Sequence, residues 1–230
     1  IWNRTYDNLP ENSSLVKKYL PADHWIRGVS AIMMGGYCWK IGDLEGAIAA
    51  FSESVPAGEV SGNRMVAVSG ACNQAESLEM AGQLHKAINL LNDTFRLATL
   101  AGHELPVANY IHTGIARIYY ELNKLDQAHD HLLKGIQLCL QMDDKRAEKI
   151  LYGLLTKVQI AKGEFDNAFL SVQHAETAVP NQEVDFDLRG ADYPEIWFWL
   201  KTNNISEIKI WLNENTIAIE DVGYFKTKFT

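Results

Sequence analysis

Apolar residues recur along the chain at spacings of three and four positions, which is the pattern of an amphipathic helix. The pattern is clearest over residues 114–138, which predict two helices joined by a tight turn at Asn123 and Lys124. Asparagine suits this turn because it tolerates the left-handed backbone at the end of a helix. One such hairpin cannot bury its apolar faces alone, so the pattern predicts neighbouring hairpins of the same kind.

The same turn returns every 40 or 41 residues, and its first residue is Gly42, Gly82, Asn123, Gly163 or Asn203. Five positions after it comes a small residue in four copies: Ala47, Ala87, Ala128 and Ala168. Four positions further on comes an apolar one: Phe51, Leu91, Leu132, Val172 and Leu212. Small residues also stand seven positions before the turn in four copies, Gly35, Ala75, Ala116 and Thr156, while Ile196 and Ile208 make the fifth copy the weakest.

Small residues let paired helices approach closely, and the large ones fill the space beside them. Registered repeats of this length predict an all-α fold, a right-handed tetratricopeptide-like superhelix of about five helix pairs with a 40-residue period. We expect this solenoid to occupy residues 1–218 and an irregular tail to follow over 219–230.

The helix pairs are predicted at 24–41 and 44–55, 63–81 and 84–101, 105–122 and 125–142, 145–162 and 165–178, and 193–202 and 205–218. A helix over residues 15–20, after a polar irregular start, is predicted to be the second helix of an incomplete preceding pair. Asp23 is the expected N-cap of the next helix. Pro56 to Gly58 and Ala101 to His103 are expected to mark joins between pairs.

Charge and composition exclude several classes of function. The net charge of −8 argues against a grip on nucleic-acid phosphates or an anionic membrane. No uncharged run reaches the ~18 residues of a membrane span. The three cysteines lack a CxxC spacing and predict reduced, buried thiols. Because the chain starts at Ile1 and shows no secretory pattern, we expect a cytoplasmic fragment of a longer protein.

The usual catalytic motifs are missing from the sequence. It contains no phosphate-binding loop, no HExxH and no GxSxG. His129 and His131 are two residues apart and face different ways on a helix, so they predict no zinc site. We expect no enzyme activity, cofactor or metal in this segment, with an active site assembled from distant residues as the remaining alternative.

Three strings along the chain stand out: Leu20-Pro21 with Trp25 and Arg27-Gly28, residues 119–125 (YYELNKL), and residues 161–168 (AKGEFDNA). They resemble the regulatory solenoid of MalT-like, LuxR-type ATP-dependent transcriptional regulators, and the resemblance covers about residues 15–215. It implies a domain that senses an inducer and controls self-association. It also implies ATP on an N-terminal module and DNA on a C-terminal helix-turn-helix, both outside this sequence.

One stripe on the first helix of each pair is expected to face the inner surface of the superhelix. Its aromatic and charged members are the predicted ligand-binding residues: Trp39, Glu76, Glu79, Tyr110, Arg117, Tyr120, Lys157 and Trp197. Aromatic faces beside charges suit a small polar inducer such as an oligosaccharide, or a peptide. The alternatives are that Trp39, Tyr120 and Trp197 only pack between repeats, and that the chain is a generic tetratricopeptide adaptor for a partner protein.

Overall fold

The structure, a computed structural model, describes residues 8–178 and 194–214. These residues form eleven α helices and one short β hairpin, so the predicted all-α helical-repeat fold is confirmed. In chain order the helices are α1 Leu9–Tyr19, α2 Trp25–Lys40, α3 Leu44–Val60, α4 Arg64–Met80, α5 Leu84–Thr94, α6 Ala108–Glu121, α7 Leu125–Cys139, α8 Lys145–Lys162, α9 Phe165–Ala178, α10 Pro194–Lys201 and α11 Ile205–Glu214. Strands β1 Thr99–Leu100 and β2 His103–Glu104 lie between α5 and α6.

The chain divides into two compact units, Ile1–Ile118 and Tyr119–Thr230. In the first unit, α2 packs against both α1 and α3, and α3 packs against α4. In the second unit, α8 packs against α7, α9 and α10. The predicted break over 180–192 and the tail over 219–230 lie outside the described residues, so the domain bounds stay a prediction.

All five predicted turn residues have the left-handed backbone that the sequence indicated. The φ angles are 79° at Gly42, 71° at Gly82, 54° at Asn123, 79° at Gly163 and 57° at Asn203. The joins between pairs use the same device, with φ of 70° at Gly62, 81° at Gly102 and 51° at Asp143. From residue 42 to residue 163, the chain therefore reverses every 20 or 21 residues. The join expected at Ala101 to His103 contains one of these reversals, whereas the join expected at Pro56 to Gly58 lies at Gly62 instead.

The interior follows the predicted register. The four alanines of the small-residue position, Ala47, Ala87, Ala128 and Ala168, are all 0% exposed. Their apolar partners Phe51, Leu91 and Leu132 are also 0% exposed, and Val172 is 4% exposed. Gly35 allows α2 and α3 to approach closely, because a Cβ there would lie 2.4 Å from Cε1 of Phe51.

The first helix begins earlier than predicted. Helix α1 starts at Leu9 and includes Pro10 in its first turn, where the missing N–H of proline leaves no hydrogen bond unmade. The N-cap of α2 is His24 rather than Asp23, since His24 Nδ1 accepts a hydrogen bond from the backbone N–H of Ile26 at 3.2 Å.

The predicted stop at Pro56 was wrong. Helix α3 continues through Pro56 to Val60, and the join lies at Gly62. Pro56 and Ser52, whose carbonyl would otherwise receive the proline N–H, are both exposed. Water can therefore reach that carbonyl, and proline is tolerated inside the helix at this face.

The predicted helix over 84–101 was too long. Helix α5 ends at Thr94, and two turns lead to the β hairpin, in which Thr99 pairs with Glu104 and Leu100 with His103. Ala101 (φ 50°) and Gly102 (φ 81°) form its tip, and two consecutive left-handed residues match the right-handed twist of a two-residue hairpin. Within the described ranges, no helix has the length and apolarity that a membrane crossing requires.

The buried alanines should tolerate no larger side chain. We expect Ala87→Leu and Ala128→Leu each to lower the free energy of unfolding by about 1–3 kcal/mol through overpacking, and Ala87→Asp by more, because it buries a charge. Urea unfolding followed by circular dichroism measures this. Ala161→Leu on an exposed position of α8 is the control and should change little. Parent-like unfolding of both leucine variants would show that the register is wrong.

Substitution of glycine by alanine should change the folding stability in opposite directions at two positions. Gly36 lies inside α2, and a Cβ there would meet nothing within 4 Å, so Gly36→Ala should stabilise the chain by about 0.5–1 kcal/mol. Gly82 has φ 71°, so Gly82→Ala should destabilise by about 1 kcal/mol although space is open there. Melting temperatures that move in the same direction would contradict the assigned backbone.

Candidate ligand-binding site

The first unit brings three of the predicted site residues into one charged cluster. Glu76 and Glu79 lie one turn apart on α4, and Arg117 lies on α6. Arg117 Nε donates a hydrogen bond to Glu79 Oε2 at 2.6 Å, and its Nη1 lies 3.3 Å from Glu76 Oε1. The repeat register explains this contact, because Glu79 and Arg117 stand three and six positions before consecutive turn residues.

The cluster is largely covered but remains reachable from solvent. The side chains of Arg117 and Glu76 are 18% exposed and that of Glu79 is 14% exposed. Two carboxylates face one guanidinium, so the cluster places hydrogen-bond acceptors beside a hydrogen-bond donor. A hydroxyl, ammonium or amide donor is the group that such a cluster can bind.

The local electrostatics keep the cluster charged. Burial opposes the charge of Arg117, but attraction to Glu76 and Glu79 and the hydrogen bond from its Nε to Glu79 outweigh it, so the pKa of Arg117 is raised. Burial also raises the pKa of the neighbouring Cys72 thiol to about 12, with Glu76 adding to the effect and Arg117 opposing it. Cys72 is therefore a neutral thiol at physiological pH and a poor nucleophile.

Trp39 is a core residue and not part of an open binding face. It is 6% exposed, and its ring lies 4.5 Å from that of Phe51, in a core cluster with Cys38 and Ala47. The packing alternative therefore describes Trp39, and its expected place on an open face was wrong. Tyr110, by contrast, is half-buried and stands two turns before Arg117 on the same face of α6.

The second unit contains the other three predicted residues. Lys157 Nζ lies 5.4 Å from the centroid of the Trp197 ring, a cation–π contact between α8 and α10. Trp197 is 47% exposed, so part of its ring surface stays open to solvent. Tyr120 is half-buried, and burial, with a smaller contribution from Glu121, raises the pKa of its hydroxyl, which therefore remains a hydrogen-bond donor. The assembly of the other seven residues into one ligand site stays a prediction.

The pair of His112 and Glu104 was not predicted from the sequence. His112 is 1% exposed, its Nε2 lies 2.8 Å from Glu104 Oε2, and its ring meets that of Phe95 edge-on at 5.2 Å. Glu104 lies in strand β2 of the hairpin. The sequence predicts a helix up to residue 101, so it does not predict the hairpin that brings Glu104 to His112. Among residues 8–178 and 194–214, no group of three His, Cys, Asp or Glu side chains is placed to hold a metal ion.

Comparison with known proteins gives a consistent family. A family model for the MalT-like TPR region matches residues 15–228. The HTH-type transcriptional regulator MalT of Yersinia pestis (strain Pestoides F) is 23% identical over 190 residues, and that of Yersinia enterocolitica serotype O:8 is 24% identical over the same length. Each alignment covers 81% of this chain but 21% of the relative, so the chain spans about a fifth of the length of these regulators.

Solved structures agree on the fold. Two crystal structures from Podosopora anserina, described as a kinesin light chain with nearly identical TPR-like repeats, superpose with TM-scores of 0.53 and 0.51. They cover 76% and 80% of this chain, and 85% and 89% of their own chains, at 14% sequence identity. Likeness at this identity concerns the helical-repeat fold alone.

Removal of the Arg117 guanidinium should destabilise the chain, because Glu76 and Glu79 then repel each other. We expect Arg117→Ala to lower the free energy of unfolding by about 2–3 kcal/mol at neutral pH, because two covered carboxylates lose their counter-charge. Urea unfolding at neutral pH measures this loss.

A surface pair provides the control for this experiment. Arg96 pairs with Glu59 but its side chain is 63% exposed, so Arg96→Ala should cost less than about 1 kcal/mol. Equal losses for Arg117→Ala and Arg96→Ala would show that the cluster is an ordinary surface ion pair.

Proposed function

Because the chain belongs to the family of the MalT-like TPR region, we propose that it is the effector-sensing and interaction domain of a transcription regulator. It is a helical-repeat domain associated with such regulators, and in this proposal it catalyses no reaction itself. ATP and DNA binding, in the same proposal, belong to other modules of the whole regulator.

The observation that carries the proposal is the cluster of Glu76, Glu79 and Arg117. Polar groups that are covered by more than four-fifths lose most of their hydration, so a hydrogen bond that a ligand makes with them is stronger there than at an exposed surface. The cluster also joins α4 to α6, two first helices of neighbouring pairs. A ligand bound there therefore acts on the relative position of two repeats.

A charged contact between α4 and α6 is suited to sensing a ligand. A ligand shifts a conformational equilibrium only if it binds one state more tightly than the other. The ion pairs of Arg117 with α4 change when α4 and α6 move against each other, so a donor-rich ligand distinguishes the two arrangements. The hydroxyl groups of a saccharide or the amides and ammonium of a peptide have the required chemistry, and the half-buried Tyr110 on the same helix face can pack against them.

A thermal-unfolding screen of the purified chain tests the proposal. The probes are neutral oligosaccharides, short basic peptides and polar metabolites. A ligand at about one hundred times its dissociation constant stabilises the folded state by about 2.7 kcal/mol, which is a measurable rise in melting temperature. We expect a probe that raises the melting temperature of the parent to lose this effect in Arg117→Ala and Tyr110→Ala, with helical content near normal.

Matched variants separate loss of binding from loss of folding. Arg117→Lys keeps the charge but not the two-pronged geometry of the guanidinium and should weaken binding about tenfold or more. Lys134→Ala at an exposed position of α7 should leave binding unchanged. If a ligand raises the melting temperature of Arg117→Lys and Arg117→Ala as much as that of the parent, its site lies elsewhere and the cluster is only structural.

A further inference from the structure

Helices α1, α2 and α3 of the first unit line two open cavities of about 440 and 390 Å³. Each helix contributes one stripe of residues spaced by three and four positions. The stripe on α3 includes Ala49, Ala50, Glu53, Pro56, Ala57 and Val60. The floor is formed by Arg27, Ala31, Met34 and Cys38 of α2, and the opposite wall by Pro10, Ser13, Ser14 and Lys17 of α1.

The two cavities form one groove. Lys17 and Glu53 line both of them, and Lys17 Nζ lies 2.6 Å from Glu53 Oε2. This ion pair crosses from α1 to α3 and divides the groove near its middle, with both side chains about half exposed. From Ala49 to Val60 the groove follows α3 for about 17 Å, roughly three helical turns.

Small side chains on α3 keep the groove open. Seven and eight positions after the turn residue, α3 carries Ala49 and Ala50. The other second helices carry larger or polar residues at the same positions: Asn89 and Leu90 in α5, Asp130 and His131 in α7, and Leu170 and Ser171 in α9. Small side chains at these positions leave room for the side chains of another helix to approach α3.

The walls of the groove carry opposite charge. On the α3 wall the charged residue that lines the groove is Glu53, and on the α1 wall it is Lys17. Arg27 at the floor and Asp23 at the end of the groove offset each other. An occupant is therefore matched in charge if it is acidic on one flank and basic on the other.

We propose that this groove binds an amphipathic helix of a partner protein, in addition to the effector cluster on α4 and α6. The partner helix has large apolar side chains at spacings of three and four residues, an acidic flank towards α1 and a basic flank towards α3. Helix-in-groove recognition uses this arrangement of apolar anchors. The Lys17–Glu53 pair opens to engage the two flanks, since an exposed pair of this kind contributes little to stability.

Three stapled helical peptides with identical leucine positions test the proposal by fluorescence anisotropy. One has a glutamate flank and a lysine flank, one has glutamate on both flanks, and one has lysine on both. We expect saturable binding of the mixed peptide at least about fivefold tighter than that of either uniform peptide. Preference for the all-lysine peptide would show only attraction to the acidic chain and would overturn the proposal.

Single charge reversals make the test independent of folding. Lys17→Glu makes both walls acidic and should transfer the preference to the all-lysine peptide. Glu53→Lys makes both walls basic and should transfer it to the all-glutamate peptide. If either variant retains the preference of the parent for the mixed peptide, the peptide does not lie between these walls and the proposal fails.

Filling the groove provides the final control. The double variant Ala49→Asn with Ala50→Leu copies the residues of α5 at the same register and should weaken binding of the mixed peptide at least about tenfold. Ser52→Asn on the exposed side of α3 should leave it unchanged. Unaltered binding to the filled groove would overturn the proposal. So would a dimer, detected by sedimentation, that the double variant dissolves, because the occupant would then be a second copy of this chain.

Discussion

The close contact between paired helices at a buried alanine is the constraint on which each helix pair depends. Ala47, Ala87, Ala128 and Ala168 have no exposed surface, and the apolar residue one turn later fills the space that the small side chain leaves. This contact requires that the second helix start at a fixed distance from the first. The left-handed turn residue fixes that distance, because it ends the first helix and reverses the direction of the chain, so that the second helix runs antiparallel to the first.

The repeat register was predictable because this constraint recurs with a fixed period. Features governed by one local residue were less predictable. Pro56 resembles a helix stop but lies on an exposed face, where the helix tolerates it. Residues 95–104 read as helix followed by a stop, yet the left-handed Ala101 before Gly102 turns them into a hairpin. Single-residue signals fail where burial or an adjacent backbone conformation decides the outcome.

The candidate site also contains contacts that follow from the repeat period and contacts that do not. The contact of Arg117 with Glu79 follows from the repeat period, since residues at nearby register positions of consecutive first helices become neighbours. Trp39 has the same register position as Glu79, but it faces Phe51, which is larger than the Leu91, Leu132 and Val172 of the other copies. The first pair thus uses its tryptophan to complete a core that differs from the others. The pairing of Glu104 with His112 depends on the hairpin and has no signal in the period.

The proposed effector cluster and the proposed helix groove lie on different elements, but a tight contact joins those elements. A Cβ at Gly58 of α3 would lie 2.5 Å from the backbone nitrogen of Ala67 of α4, and one at Gly70 of α4 would overlap Ser54 Oγ of α3. Helices packed this closely do not slide without repacking, so a displacement of α3 displaces α4. Because α4 carries Glu76 and Glu79, a helix seated against α3 acts on the carboxylates that hold Arg117. Coupling between the two surfaces then requires a second stable arrangement of this one helix contact.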